Sequence, residues 1–253
     1  MTTLFIADLH LSPDVPQLVQ AFHDYIDYRA AEADTLYIIG DLFDYWIGDD
    51  AMDAFQEDIA AKLAEYSAKG KDVFFIHGNR DFLIGEDFAH KAGLTILDDP
   101  SLIMLGDVPV LVTHGDGLCT DDEEYMKFRA MVRDPEWQRQ ALAMSVEERE
   151  AIARQMRDDS GEANHKKPEH IMDVNAQAVI DLMNQYQVRT LIQGHTHRPD
   201  VHDFEVNGAT MRRYVVGDWR FDPTEDVDIG WEIRHDGLTL TLEEFKLSEL
   251  AYD

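Results

Sequence analysis

The sequence predicts an α/β fold of the α+β type, in which two mixed β-sheets pack face to face with helices outside. Three observations carry that expectation. Apolar runs of strand length alternate with helical spacing in the amino-terminal half, turn dipeptides separate β-rich runs in the carboxyl-terminal half, and polar clusters follow directly on the apolar runs.

Residues 3–7 read as a strand and 16–33 as a helix, with Pro16 in its first turn. Residues 35–39 are a short apolar run of the buried-strand type, 50–68 carry helical spacing, and 72–76 form the next strand. This alternation indicates parallel βαβ units, whose ligands gather beyond the carboxyl ends of the strands. After Leu102 the pattern changes to hairpins at Gly106-Asp107, Asn207-Gly208 and Asp236-Gly237, which predict a second, mostly antiparallel sheet. Between them, 123–133, 146–157 and 173–186 read as helices, and Ser145 and Glu148 have the spacing of a capping box. The expected organisation is a single domain, 1–253, with a helical lid inserted at approximately 123–186.

Composition narrows the function. At 253 residues and 45% hydrophobic content the chain can bury a large core. One cysteine, Cys119, excludes an internal disulfide framework and a thiolate zinc site. No apolar stretch reaches the length of a membrane span and no basic leader precedes the first strand, so the expected compartment is the cytoplasm. A formal charge of -29 disfavours nucleic acid as a partner, because phosphate contacts need a basic footprint. The charge is uneven: residues 126–170 hold equal numbers of basic and acidic side chains, so all the excess acidity lies elsewhere. A solvated surface suited to high salt is the simplest reading of that excess. No obligate protein partner is evident.

The polar clusters are Asp8-Leu9-His10, Gly40-Asp41, Gly78-Asn79-Arg80-Asp81, His114-Gly115-Asp116 and Gly194-His195-Thr196-His197. If the chain is extended there, residues two apart point the same way, so Asp8 with His10, and His195 with His197, each aim two ligands at one point. Carboxylate, imidazole and amide donors without sulfur suit Mn, Mg, Fe or Zn. Asp41, in the tight Gly40-Asp41 turn, is the carboxylate best placed to bridge two ions, and a pair of ions suits attack on a phosphoryl group. His23, His77, His90, His202 and His235 read as ordinary core or turn residues.

This ordered series resembles the calcineurin-type metallophosphoesterase superfamily. The runs Leu4-Phe5-Ile6-Ala7-Asp8-Leu9-His10-Leu11, Trp46-Ile47-Gly48-Asp49-Asp50, Phe75-Ile76-His77-Gly78-Asn79-Arg80-Asp81-Phe82-Leu83 and Ile171-Met172-Asp173-Val174-Asn175 are similar to the branch that hydrolyses UDP-2,3-diacylglucosamine in lipid A synthesis. The resemblance implies one metal on Asp8, His10, Asp41 and His197 and a second on Asp41, Asn79, His114 and His195, with manganese preferred. It implies attack of a metal-activated hydroxide on the α-phosphorus, giving UMP and 2,3-diacylglucosamine 1-phosphate, on the cytoplasmic side of the inner membrane with weak peripheral contact. Asp41, Asn79, Arg80, His114 and His195 carry the chemistry on this reading. Many superfamily members have a histidine at the position of Arg80, whose guanidinium suits phosphate oxygens; an ion pair with Asp81 is its alternative use.

The remaining substrate contacts of the family fall on Asp122, Ser160, Asn164 and Lys167, with Arg157 from the same region. Asp122, Ser160 and Asn164 equally suit helix caps, and Lys167 beside Lys166 equally suits a solvated pair. Phe128, Met131, Val132, Trp137, Leu142, Met144, Ile152 and Met156 are either acyl-chain contacts or the buried stripe of the lid helices. The chain departs from the family in the polar stretches 135–140 and 147–150 and in an acidic carboxyl-terminal extension. Two further readings stay open: a soluble metallophosphodiesterase or nucleotide phosphatase, and a catalytically silent metal-binding scaffold.

Overall fold

A computed structural model describes residues 1–166 and 173–252, without the side chains of 157–166 and 252. In the amino-terminal half, β1 (Thr3–Ile6), α1 (Pro16–Asp24), β2 (Thr35–Ile39), α2 (Ala54–Ser67), β3 (Asp72–Ile76), α3 (Glu86–Ala92) and β4 (Thr95–Leu97) alternate. Next come β5 (Ser101–Leu105), β6 (Val108–Thr113), α4 (Glu123–Val132), α5 (Pro135–Leu142), α6 (Val146–Lys166) and α7 (Ala176–Gln185). The chain closes with β7 (Thr190–Gln193), β8 (Asp200–Val206), β9 (Ala209–Val215), β10 (Arg220–Asp222), β11 (Val227–His235) and β12 (Leu240–Phe245).

The strands form two sheets, ordered β10-β11-β1-β2-β3-β4 with β12 on β11, and β5-β6-β7-β9-β8. Strand alternation explains the four layers. In β1, Leu4 and Ile6 face the core under α1, α2 and α3, while Phe5 and Ala7 face the core between the sheets. In the second sheet Val110, Val112, Ile192 and Tyr214 face inward, and Leu111, Leu191 and Met211 face outward onto Val179 and Met183 of α7. The expected sandwich is therefore present.

Several expected boundaries shift, each for a local reason. The helix expected over 16–33 leaves α-helical geometry at Asp24 and closes through a wider turn, Tyr25–Arg29, in which the Ala30 amide donates to the Tyr25 carbonyl at 2.8 Å. The helix expected from residue 50 begins at Ala54, because Asp53 caps it with a reciprocal Gln56 contact. The helix expected from 173 begins at Ala176, where Asn175 accepts the amides of Gln177 and Ala178. Helix α5 was not expected; Asp134 as its cap and Pro135 in its first turn start it despite the polar sequence. The capping box of Ser145 and Glu148 is present at the start of α6.

The second sheet is mixed rather than mostly antiparallel: β6-β7 and β7-β9 run parallel, β5-β6 and β8-β9 antiparallel. The hairpin at Asp236-Gly237 belongs to the first sheet instead, where β11 pairs antiparallel with β1. The carboxyl-terminal extension packs: Leu247 and Leu250 are buried in the core under α1.

Helix α6 is tethered far from its own chain neighbours. Arg149 is almost fully buried and donates through Nη1 to the Ile47 carbonyl at 2.5 Å and to Asp50 Oδ1 at 2.8 Å, with Nη2 on Asp50 Oδ2. Arg149→Ala is expected to loosen α6 and speed amide hydrogen exchange in its first turns by about tenfold, the equivalent of ~1.4 kcal/mol of local opening. Hydrogen exchange checks this; unaltered rates contradict the tether.

Candidate metal centre and adjoining cavity

The clusters lie where the strands end. Asp8 follows β1, Asp41 follows β2, Asn79 follows β3, His114 follows β6 and His195 follows β7. The structure corrects how the paired residues converge. Asp8, His10, Asp41, His195 and His197 all have left-handed backbones, with φ of 56°, 48°, 53°, 69° and 53°. They are turns beyond the strands, so the extended-chain alternation expected for Asp8 with His10 and His195 with His197 does not apply. Such conformations cost on the order of 1 kcal/mol each for residues with a Cβ and are held by their surroundings.

The neighbouring glycines have a steric reason. A Cβ on Gly78 would lie 2.1 Å from Asp41 Oδ1, and one on Gly194 would lie 2.6 Å from Asp8 Oδ2. The loops are further tied by amide donors: His195 N donates to Asp8 Oδ2 at 2.7 Å, and Arg80 N to Asp41 Oδ1 at 2.8 Å.

The ligand atoms converge. His10 Nε2 lies 3.3 Å from His197 Nε2, which lies 3.4 Å from Asp8 Oδ1. Neighbouring donors around one ion with bonds of about 2.0–2.2 Å are spaced this way. Asn79 Oδ1 lies 3.0 Å from His114 Nε2, and Asp41 Oδ2 lies 4.0 Å from His10 Nε2 and 3.9 Å from His114 Nε2. Asp8, His10 and His197 form one potential metal-holding group, and Asp8, Asp41 and His114 a second. Asp8 is common to the two groups by distance, whereas Asp41 Oδ2 lies between the imidazoles of both. Each carboxylate has one oxygen engaged by an amide, Asp8 Oδ2 by His195 and Asp41 Oδ1 by Arg80, and keeps the other for an ion. His195 enters neither group; its ring lies 5.1 Å from that of His114, with Tyr125 stacked at 5.9 Å on it.

The donor set fits divalent ions. Asp8 Oδ1, which faces His197 Nε2 at 3.4 Å, is a buried polar atom without a hydrogen-bond partner, which suits an ion site better than a structural network. Burial alone lowers His114, yet the Asp41, Asp8 and Asp116 carboxylates outweigh it and raise it to about 9. Burial likewise opposes the rise of His197, which the Asp8 and Asp218 carboxylates lift to about 10. Burial draws His10 and His195 down to about 4, leaving both neutral at pH 7. Burial raises Asp41 to about 7 against the pull of His114. The cluster is thus a desolvated pocket in which carboxylates hold His114 and His197 charged while burial keeps His10 and His195 neutral.

A cavity of about 580 Å³ opens beside the cluster. Its lining combines polar residues, among them Asn79, Arg80, Asp122 and Glu124, with apolar ones that include Phe128, Met131, Trp137, Met144, Ile152 and Met156. Helices α4, α5 and α6 thus border it, whereas α7 covers the second sheet. Of the expected acyl-chain contacts, Val132 is buried elsewhere and Leu142 is exposed, and neither lines the cavity.

The sequence profile described as calcineurin-like phosphoesterase matches residues 1–199. A protein of Chromohalobacter salexigens named UDP-2,3-diacylglucosamine hydrolase is 50% identical over 252 residues, covering 99% of this chain and 100% of that one. Proteins of the same name are 47% identical in Marinobacter nauticus, covering 87% and 90%, and 45% identical in Azotobacter vinelandii, covering 98% and 100%. The chain belongs to the calcineurin-like phosphoesterases, in the UDP-2,3-diacylglucosamine hydrolase family. It is a hydrolase whose donor set suits divalent metal ions.

Within this phosphoesterase, Asp122 is the cap of α4, accepting from Tyr125 N at 3.1 Å, and also lines the cavity. Lys167 lies outside the described residues, as do the side chains of Arg157, Ser160 and Asn164 on α6. Arg80 forms no ion pair with Asp81. Asp81 is fully buried and accepts the amides of Leu42 at 2.8 Å, Gly78 at 2.8 Å and Asp41 at 3.3 Å, which joins the second and third clusters. Asp81→Ala strands three buried amides and is expected to destabilise the protein by roughly 3 kcal/mol. Chemical denaturation checks it, and a loss under about 1 kcal/mol contradicts the bracing role.

Sequence reasoning also missed the braces from α4. Arg129 bonds Asp116 at 2.8 Å and Asp99 at 3.1 Å, while Asp99 Oδ1 accepts the His114 amide at 3.2 Å. Arg133 donates to the carbonyls of His77 at 3.2 Å and Gly78 at 2.9 Å. Asp218, whose Oδ2 is 3.3 Å from His197 Nδ1, was missed as well. Its signal was present, since Gly217-Asp218 follows the apolar end of β9 as Gly40-Asp41 follows β2.

Proposed function

We propose that this protein hydrolyses the diphosphate of UDP-2,3-diacylglucosamine at a centre of two divalent ions, with manganese preferred. The observation that carries this reading is a cavity that meets the ligand cluster at Asn79, presents Arg80 to phosphate, and has Phe82, Phe128, Met131, Trp137, Ile152 and Met156 among its lining. A headgroup bearing two phosphates and two acyl chains combines the same two chemistries.

Two divalent ions bound there would supply charge neutralisation and a water of lowered pKa. Asp8, His10, Asp41 and His197 would hold one, and Asp41, Asn79, His114 and His195 the other. Water adds at the α-phosphorus, the diphosphate bond breaks, and UMP and 2,3-diacylglucosamine 1-phosphate leave. Arg80 meets phosphate oxygens in a bidentate manner as negative charge builds on them. Asn79 and His195 orient the phosphate beside it, and Asp122, Arg157, Ser160, Asn164 and Lys167 contact the rest of the substrate. Phe128, Met131 and Trp137 take the acyl chains, which excludes water from these side chains.

The working place proposed is the cytoplasmic face of the inner membrane, with weak peripheral contact. Among the described residues no helix is long and apolar enough to cross a membrane. Tyr45, Met131 and Met144 are exposed and also line the cavity, which supports contact of its mouth with a lipid surface.

Hydrolysis in H2¹⁸O tests the point of attack: the label is expected in UMP, and label in the sugar phosphate contradicts attack at the α-phosphorus. Preference for an aryl phosphodiester over the diacylated UDP-sugar would instead favour a soluble phosphodiesterase.

A further inference from the structure

The two potential ion positions are backed differently. His114 gives its Nδ1 to a neutral backbone carbonyl, Ile39 O, at 2.9 Å. His197 instead has Nδ1 3.3 Å from a carboxylate oxygen, Asp218 Oδ2. Both rings thereby turn Nε2 toward the cluster, but only one is backed by a negative charge.

Asp218 is a held group. It is 4% exposed, its Oδ1 is buried without a hydrogen-bond partner, and Arg220 Nε lies 3.1 Å from its Oδ2 on the solvent side. The segment that carries it is fixed at both ends. Val216 N donates to Gln193 O at 2.7 Å, and Trp219 N donates to the carbonyl of Asp8, itself a ligand candidate, at 3.1 Å. Trp219 is 2% exposed, packs against Tyr25 and Phe245, and donates through Nε1 to Trp231 O. Gly217 permits the close approach, because a Cβ there would lie 2.3 Å from the Trp231 ring. A carboxylate anchored this firmly and spending one oxygen on an imidazole selects that ring's tautomer and raises its strength as a ligand.

We propose that Asp218 is the positioning residue of His197 and makes the ion position of Asp8, His10 and His197 the tighter of the two. The inference rests on the binuclear metal reading given above. Asp218 does not touch substrate or ion; it acts through the imidazole. Arg220 holds the carboxylate in place from the rim, where it is mostly exposed.

The test is manganese binding to metal-free protein, followed by calorimetry and by the electron paramagnetic resonance of the free ion. Wild type is expected to bind two ions with unequal affinity. Asp218→Ala is expected to weaken the tighter ion by about 10- to 100-fold, the usual effect of removing an outer partner of a ligand, and to leave the other unchanged. Asp218→Asn keeps the shape and an acceptor but not the charge, so it is expected to fall between the two; it also decides the matter should the alanine variant fail to fold. Activity of the variants is expected to recover at high manganese, which a merely structural defect would not allow. Equal affinity in wild type and both variants overturns the proposal, as does uniform weakening of both ions. If wild type binds no manganese, the metal reading itself fails.

Discussion

Asp41→Ala is expected to abolish turnover and to lower bound manganese. Its Oδ2 faces the imidazoles of both His10 and His114, so its loss removes a ligand from each ion position. The effect should exceed the roughly 100-fold seen when only an outer partner of a metal ligand is lost. The metal-free variant is not expected to be less stable than wild type. Burial raises Asp41 to about 7 from its ordinary 3.8, so the folded state favours the protonated form and loses stability as pH rises through that window. Removing the carboxylate relieves that loss at neutral pH, which offsets the lost bond to the Arg80 amide and the lost attraction to His114. Metal analysis, turnover and thermal melting of the metal-free protein check these outcomes. Full activity with full metal content contradicts the bridging role.

Arg80→Ala is expected to reduce kcat by a factor corresponding to about 2 to 4 kcal/mol, the range for loss of one group that stabilises developing charge. Among the described residues its guanidinium has no ion pair, while its backbone is fixed by Asp41 and by Trp46 N, which donates to its carbonyl at 3.0 Å. As a residue of the cavity lining it meets substrate from a fixed base. Bound manganese is expected to stay unchanged, since Arg80 is no ligand. An unchanged kcat contradicts the role, and a loss confined to KM reassigns Arg80 to ground-state binding.

Asp8, His10, Asp41, Asn79, His114 and His197 were legible in the sequence because an acid, imidazole or amide directly after an apolar strand survives as a local pattern. The backbone that aims them was not. Left-handed turns at Asp8, His10 and His195 leave no trace in residue spacing, and only the adjoining Gly194 and Gly78 hinted at the close approach. Asp218 escaped notice because a Gly-Asp pair is ordinary turn chemistry and its partner His197 is placed by tertiary contact. The sandwich was legible from strand and helix alternation, but the parallel pairing of β7 with β9 depends on which strands meet across long connections.

The lid shows the limit most clearly. Its balanced charge left open what its cations face, and Arg129, Arg133 and Arg149 are engaged with Asp116, with the Gly78 carbonyl and with Asp50. Charge balance reports how many cations a segment holds and not what they face. These three arginines tie α4 and α6 to the loops of the polar clusters and to the cavity wall.

The most direct measurement is UMP release from UDP-2,3-diacylglucosamine by protein stripped with chelator, before and after manganese is restored. No release from the stripped protein and full release with manganese is the predicted result. Equal release in both states, or none in either while a simple phosphodiester is hydrolysed, would contradict the account.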